Sequence, residues 1–367
     1  MATNYANRKY RSGPQDIGFR NIIINGDMSI AQRGTSVSGL GNGDSGYYTC
    51  DRWKLFESGA PTYEFTQTQD TDVPSGQGFA TSLKMDCTTA DASLDTADLL
   101  RIMQVFEGQN LQYLKYGTSN ASSLTASFWV KSSVTGDYST HLYASGATNR
   151  IITSTFTINS ANTWEKKIIT FAGDTAQVIS NDNQGRLLFT ITLLAGTDYT
   201  STDGTSWGTY SGGKIAYGQT ANVASSTANN FWITGVQLEA GTTASDFEFL
   251  PVDVNLQRCQ RYYNILAKRN GSTYFAEGHY YNSGSIRSAM VFNPDMRATP
   301  TIAIGSGTNY YSFFRNGTSD AFDGFTATSN LYGTILLGTG TMSGTAGQAG
   351  SLRMNEDAAF IAFDAEL

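Results

Sequence analysis

Two histidines, three cysteines and a few close carboxylate pairs are the residues of this sequence best suited to catalysis or metal binding. His141 lies in STHLYASG and His279 in EGHYYNSG. Neither stands in an HExxH pattern or a nucleophile elbow, so both read as ordinary strand residues. Cys50, Cys87 and Cys259 are far apart and show no CxxC or Cys/His spacing, which predicts buried thiols in a protein assembled in a reducing cytosol. Asp70/Asp72, Asp91/Asp95, Asp320/Asp323 and Glu356/Asp357 could split a glycosidic bond only if the fold held an acid and a base or nucleophile at a set separation. Solvated turns account for these pairs more simply. Asp-rich turns also suit Ca2+, yet no EF-hand-like loop occurs. The expectation is no catalytic residue, no metal and no cofactor.

The aromatic residues carry more information. Trp53, Trp129, Trp164 and Trp232 fall within alternating runs and are expected in the core or between sheets. Residues 196–213 (GTDYTSTDGTSWGTYSGG) differ, because Tyr199, Trp207 and Tyr210 sit there among polar groups. Flat rings beside hydroxyls and carboxylates suit sugars, which stack through C–H bonds while their hydroxyls take hydrogen bonds. The same loop would equally pack on its own sheet or on a neighbouring subunit. A second candidate surface is residues 309–315 (NYYSFFR), where Tyr310, Tyr311 and Phe314 exceed what one sheet face can hide.

The elements that must hold these residues are strands. Only 15% of the 367 residues are charged, while 38 are Gly and 6 are Pro, a balance of packed sheets joined by glycine turns. A net charge of −7 argues against nucleic acid, whose phosphates demand clustered Lys and Arg. The runs 124–131, 151–158, 164–171, 186–195 and 230–239 alternate with period two, as antiparallel sandwich strands do. No Gly-rich turn leads from a strand into an amphipathic helix, which excludes a doubly wound nucleotide fold.

Residues 251–270 break the pattern and predict a linking helix. Pro251 and Asp253 suit its start, and Lys268 and Arg269 before Asn270-Gly271 suit its stop. Val252, Leu256, Cys259, Tyr263 and Leu266 repeat at 4-3-4-3 spacing. That heptad seam would either join identical chains around an axis or lie on the chain's own sandwich. Strand patterns resume over 271–367, enough for a small β domain, with residues 334–350 expected as a loop or a strand in need of a partner chain. Residues 1–18 hold Tyr5, Arg8, Lys9, Tyr10 and Arg11 with almost no aliphatic side chains, and predict either an arm that orders by docking on another protein or a frayed terminus. No signal-peptide core and no apolar run of about 18 residues is present, so neither secretion nor membrane insertion is expected.

Segments 19–35 (FRNIIINGDMSIAQRGT), 48–55 (YTCDRWKL), 106–116 (FEGQNLQYLKY), 124–132 (LTASFWVKS), 161–174 (ANTWEKKIITFAGD), 235–241 (GVQLEAG), 256–263 (LQRCQRYY), 296–301 (MRATPT) and 363–367 (FDAEL) carry a resemblance. In this order they resemble the tail fibre and virion structural proteins of tailed bacteriophages and prophages. NIIINGDM and SFWVK are also similar to jelly-roll carbohydrate-binding modules. The resemblance implies an all-β protein: a jelly-roll-like sandwich over 19–250, a homotrimeric fibre, and attachment to host surface polysaccharide or lipopolysaccharide. It further implies location in the virion after synthesis in the host cytoplasm, with other virion proteins as partners of the arm. It brings no catalytic residues. A head or neck decoration protein remains an alternative, as does a polysaccharide-cleaving tailspike, although the 20- to 30-residue repeat of a β-helix is not visible.

Overall fold

Alternation of apolar and polar side chains builds nearly all of this chain, which is 45% strand and 7% helix. The computed structural model describes residues 19–269, 273–305, 307–339 and 342–367. Tyr5, Arg8, Lys9, Tyr10 and Arg11 lie outside the described residues. Two units form, one ending at Leu250 and one running from Pro251 to Leu367.

The first unit is a jelly-roll-like sandwich of two antiparallel sheets. One sheet runs, in spatial order, β1 (Ser36–Leu40), β4 (Glu64–Asp70), β5 (Ser82–Thr89), β13 (Asn230–Ala240), β7 (Leu124–Ser132) and β10 (Glu165–Phe171). The other runs β12 (Gly208–Thr209), β9 (Arg150–Ile158), β8 (Gly136–Ala144), β11 (Gly185–Ala195), β6 (Leu99–Glu107), β3 (Lys54–Ser58) and β2 (Gly46–Tyr47). Strand alternation sends Leu124, Ala126, Phe128 and Val130 inward, all at 0% exposure. There Phe128 meets Phe156 edge-on at 5.1 Å and Tyr138 meets Phe231 at 5.7 Å, joining the two sheets.

The NIIINGDM segment has a structural explanation. Ile22 N–H donates to Leu238 O (2.9 Å) and Val236 N–H to Gly26 O (2.9 Å), so the segment pairs with β13 beyond the stretch bonded to β5. Asn25, in the left-handed region at φ 59, bonds the Ile30 backbone through both ends of its amide and donates to Asp51 O as well. Gly26 is required because a Cβ there would stand 2.0 Å from Val236 O.

The second unit opens with α1 (Val252–Gln260), and here the expected helix over 251–270 is corrected. Residues Tyr263–Lys268 form β14 instead, paired with β23 (Phe360–Asp364), which also pairs with β17 (Thr301–Ile304). The proposed seam therefore does not exist as one stripe. Val252 is 68% exposed, Cys259 is fully buried, and Tyr263 and Leu266 stand on a strand. Long-range pairing with β23 outweighs a periodicity that two heptads support only weakly.

A seven-stranded sheet completes the unit. Its order is β19 (Thr318–Phe322), β18 (Tyr311–Arg315), β22 (Ala349–Met354), β15 (Thr273–Asn282), β16 (Ser285–Val291), β21 (Gly333–Thr339) and β20 (Gly324–Ser329). Both β21 and β22 are flanked on two sides within this chain, so these two strands find their partners internally.

Candidate functional site

The outward face of the second sheet of the first unit carries a polar stripe where a sandwich surface would ordinarily meet water. Thr190 stands opposite His141, and His141 opposite Thr153. On the adjoining rung Phe56 faces Arg101 and Arg101 faces Thr192. Residues 196–221 lie over part of this stripe. Thr153 Oγ1 donates to Lys214 O (2.6 Å), Ser139 N–H donates to Gln219 Oε1 (2.5 Å), and Ile215 and Ala216 pack on Leu99 and Ile151.

Under that cover His141 is buried, with Nδ1 2.7 Å from Thr190 Oγ1 and Nε2 3.3 Å from Arg101 Nη1. Burial first, and then the charge of Arg101, hold the imidazole well below its ordinary range, so it is neutral.

Arg101 is the unusual group. It is half-buried, its Cζ lies 4.3 Å from the Phe56 ring centroid, and no carboxylate stands within ion-pair distance among the described residues. Burial draws its guanidinium down to about 10, still charged at neutral pH, with Tyr210, Tyr199 and Tyr143 in its neighbourhood. Tyr143 and Tyr210 meet edge-on at 5.3 Å, with Tyr210 42% exposed. The Tyr199 hydroxyl donates to Ser58 Oγ at 3.0 Å. Three buried polar atoms of this face, Arg101 Nε, Thr192 Oγ1 and Ser139 Oγ, make no hydrogen bond. These three atoms are closed to solvent, and what this face offers to a ligand is the exposed Tyr210 ring and the part of Arg101 left open.

Of the residues singled out in sequence, Tyr199 and Tyr210 come together here and Trp207 does not. Trp207 and Tyr210 are three apart along an extended segment, which sends them to opposite faces. Trp207 Nε1 donates to Ala172 O (2.6 Å) and its ring meets Tyr116 edge-on at 6.0 Å, anchoring the loop. The same parity divides residues 310–314. Tyr311 is buried, its hydroxyl within 2.6 Å of Gly305 O and 2.8 Å of Phe360 O, so its ring is closed to any ligand. Phe314 alternates outward, 37% exposed, beside Tyr274, and Tyr310 is half-buried against the core of the second unit.

The tryptophans are a second correction. Trp53 is inside, donating to Asn25 O, and Trp232 is buried too, although on the other face of its strand. Trp129, Trp164 and Trp232 belong to the outward side of the first sheet. Trp232 lies between Lys84 and Lys131, whose Nζ atoms are 5.3 and 4.0 Å from its ring. Its indole donates to Asp70 (3.2 Å), that of Trp164 donates to Asp72 (2.9 Å), and Lys131 pairs with Asp72. Burial alone would raise the Asp72 carboxyl, but the Lys131 and Trp164 bonds outweigh it and hold it below the usual range. Both indole donors and the buried lysine are already partnered, so this cluster fastens the sheet edge. The signal was present in the sequence: Phe128 and Val130 face inward, which puts Trp129 and Lys131 outside.

Among the described residues no group of three or more His, Cys, Asp or Glu side chains is arranged to hold a metal ion. No helix among them is long and apolar enough to cross a membrane.

No protein-family description matches the sequence, and no curated protein does. Among solved structures, the enzymatically active domain of tailspike protein 4 of bacteriophage CBA120 superposes at 12% identity and a TM-score of 0.30. That match covers 56% of this chain and spans 21% of the tailspike chain. A family 30 carbohydrate-binding module gives 11% identity and a TM-score of 0.31, over 66% of this chain and 97% of the module. A family 11 module of a Clostridium thermocellum cellulosomal cellulase gives 10% and 0.28, over 57% and 97%.

Proposed function

We propose that this chain is a receptor-binding virion protein of the tail-fibre kind its sequence resembles, and that it holds a bacterial surface glycan without cleaving it. The observation that carries the glycan reading is the edge-on pair of Tyr143 and exposed Tyr210, 5.3 Å apart, on the side of the sheet that carries half-buried Arg101. Tyrosine supplies rigid stacking area and a hydroxyl at once, and Arg101 beside it keeps part of its guanidinium open to solvent. Glycoside cleavage uses a pair of carboxyl groups across the scissile bond, and the side chains that define this face include none.

One shallow site of this type binds weakly, so useful attachment comes from several copies on one particle. A homotrimer, docked on the virion through residues 1–18, would supply them. The experiment is binding of the purified full chain to intact bacteria and to extracted capsule and lipopolysaccharide, with Tyr210→Ala and Trp232→Ala beside wild type. Weakening of at least about tenfold by Tyr210→Ala, with Trp232→Ala folded and unaffected, is the expected result. A protein that enters particles but binds neither cells nor glycan is a decoration or connector instead. Light scattering at the mass of a single chain would remove the trimer.

A further inference from the structure

Resting on that glycan reading, we infer that the saccharide taken by this face is acidic, with a sugar carboxylate seated on Arg101. A half-buried guanidinium is costly unless something compensates its charge. Among the described residues Arg101 has no ion-pair partner, and its one hydrogen-bonded side chain is His141. His141 supplies no negative charge, since it is neutral under the loop. The other arginines on this sheet differ. Arg150 Nε donates to both carboxylate oxygens of Asp174 (3.0 and 2.8 Å) and Arg186 is bonded to Asp182.

The surroundings place Arg101 ready for an anion. Stacking on Phe56 holds one face of the planar guanidinium and leaves its edges to make hydrogen bonds. Its buried Nε and the buried Thr192 Oγ1 opposite it on β11 both lack a partner, so nothing inside the fold compensates the charge. A carboxylate accepts from the part of the guanidinium left open to solvent. Tyr143, Tyr199 and Tyr210 then stand where the neutral part of the sugar would lie.

Net charge makes the idea discriminating. The chain carries −7 overall and would repel a polyanion non-specifically, so retention of an acidic polymer must come from a local site.

The test is affinity electrophoresis of the intact chain through gels holding polygalacturonate, alginate, hyaluronan or polysialic acid. Each is run beside its carboxyl-reduced derivative, with dextran and galactan as neutral polymers. Retention by at least one acidic polymer, lost on carboxyl reduction, is expected. Arg101→Gln should weaken that retention by about tenfold or more, and Arg101→Lys should restore part of it, with thermal melts verifying that both variants fold. Equal retention by native and carboxyl-reduced polymers overturns the acidic preference while leaving the glycan reading intact. Retention by none of the polymers overturns this inference as well, and the cell- and capsule-binding experiment then decides the broader reading separately. Because the paired polymers are compared on wild type, the outcome does not depend on a variant folding.

Discussion

Acid should weaken the first unit through His141, and the size of the effect follows from its burial. In the unfolded chain an exposed imidazole titrates near about 6.5. In the fold, burial and the adjacent Arg101 keep the ring neutral well below that value. Between the two values the unfolded state binds one proton more than the native state, so stability is full above pH about 6.5 and falls as pH drops. The slope is at most about 1.4 kcal/mol per pH unit. From pH 7 to pH 5 it integrates to about 2 kcal/mol while the folded ring stays neutral. For a unit of this size that corresponds to about 4–8 °C in melting temperature. His141→Gln keeps an amide able to accept from Arg101 and titrates nowhere in this range, so its melting temperature should fall less over the same interval. The assay is thermal unfolding of both proteins by circular dichroism at pH 7, 6 and 5, and the difference between the two curves isolates the histidine from the carboxylates. Parallel curves, or a wild type that gains stability on acidification relative to the variant, would refute the assignment of His141 as a buried neutral base.

Two further outcomes test the packing. Gly26→Ala places a Cβ against the Val236 carbonyl and should cost about 1–3 kcal/mol or more, as at other overpacked sites, read as a lower urea midpoint; an unchanged midpoint would mean that NIIINGDM does not dock on β13 as described. Cys50, Cys87 and Cys259 form no disulfide, each is 2% exposed or less, and burial pushes the Cys87 thiol up to about 11; none should react with Ellman's reagent in the native protein, and all three should in denaturant. Fast labelling of any one before unfolding would contradict its placement.

Period-two alternation in runs such as 124–131 and 230–239 needs no tertiary information, because a strand presents successive side chains to opposite faces whatever it pairs with. The all-β architecture, the inward row of Leu124, Ala126, Phe128 and Val130, and the outward position of Trp129 were all legible on that ground. Local chemistry also announces the start of α1 at Pro251. Where α1 stops was not legible, since β14 exists through pairing with β23 about one hundred residues later, and neither strand contains the other's register. The candidate site divides the same way. Tyr199 and Tyr210 could be named from a polar loop rich in aromatics. Arg101, Tyr143 and His141 lie on strands whose sequences carry no mark of a ligand, and only the order β8-β11-β6 sets them on one face. A guanidinium is unpaired by virtue of what surrounds it, and what surrounds it is decided by which strands become neighbours.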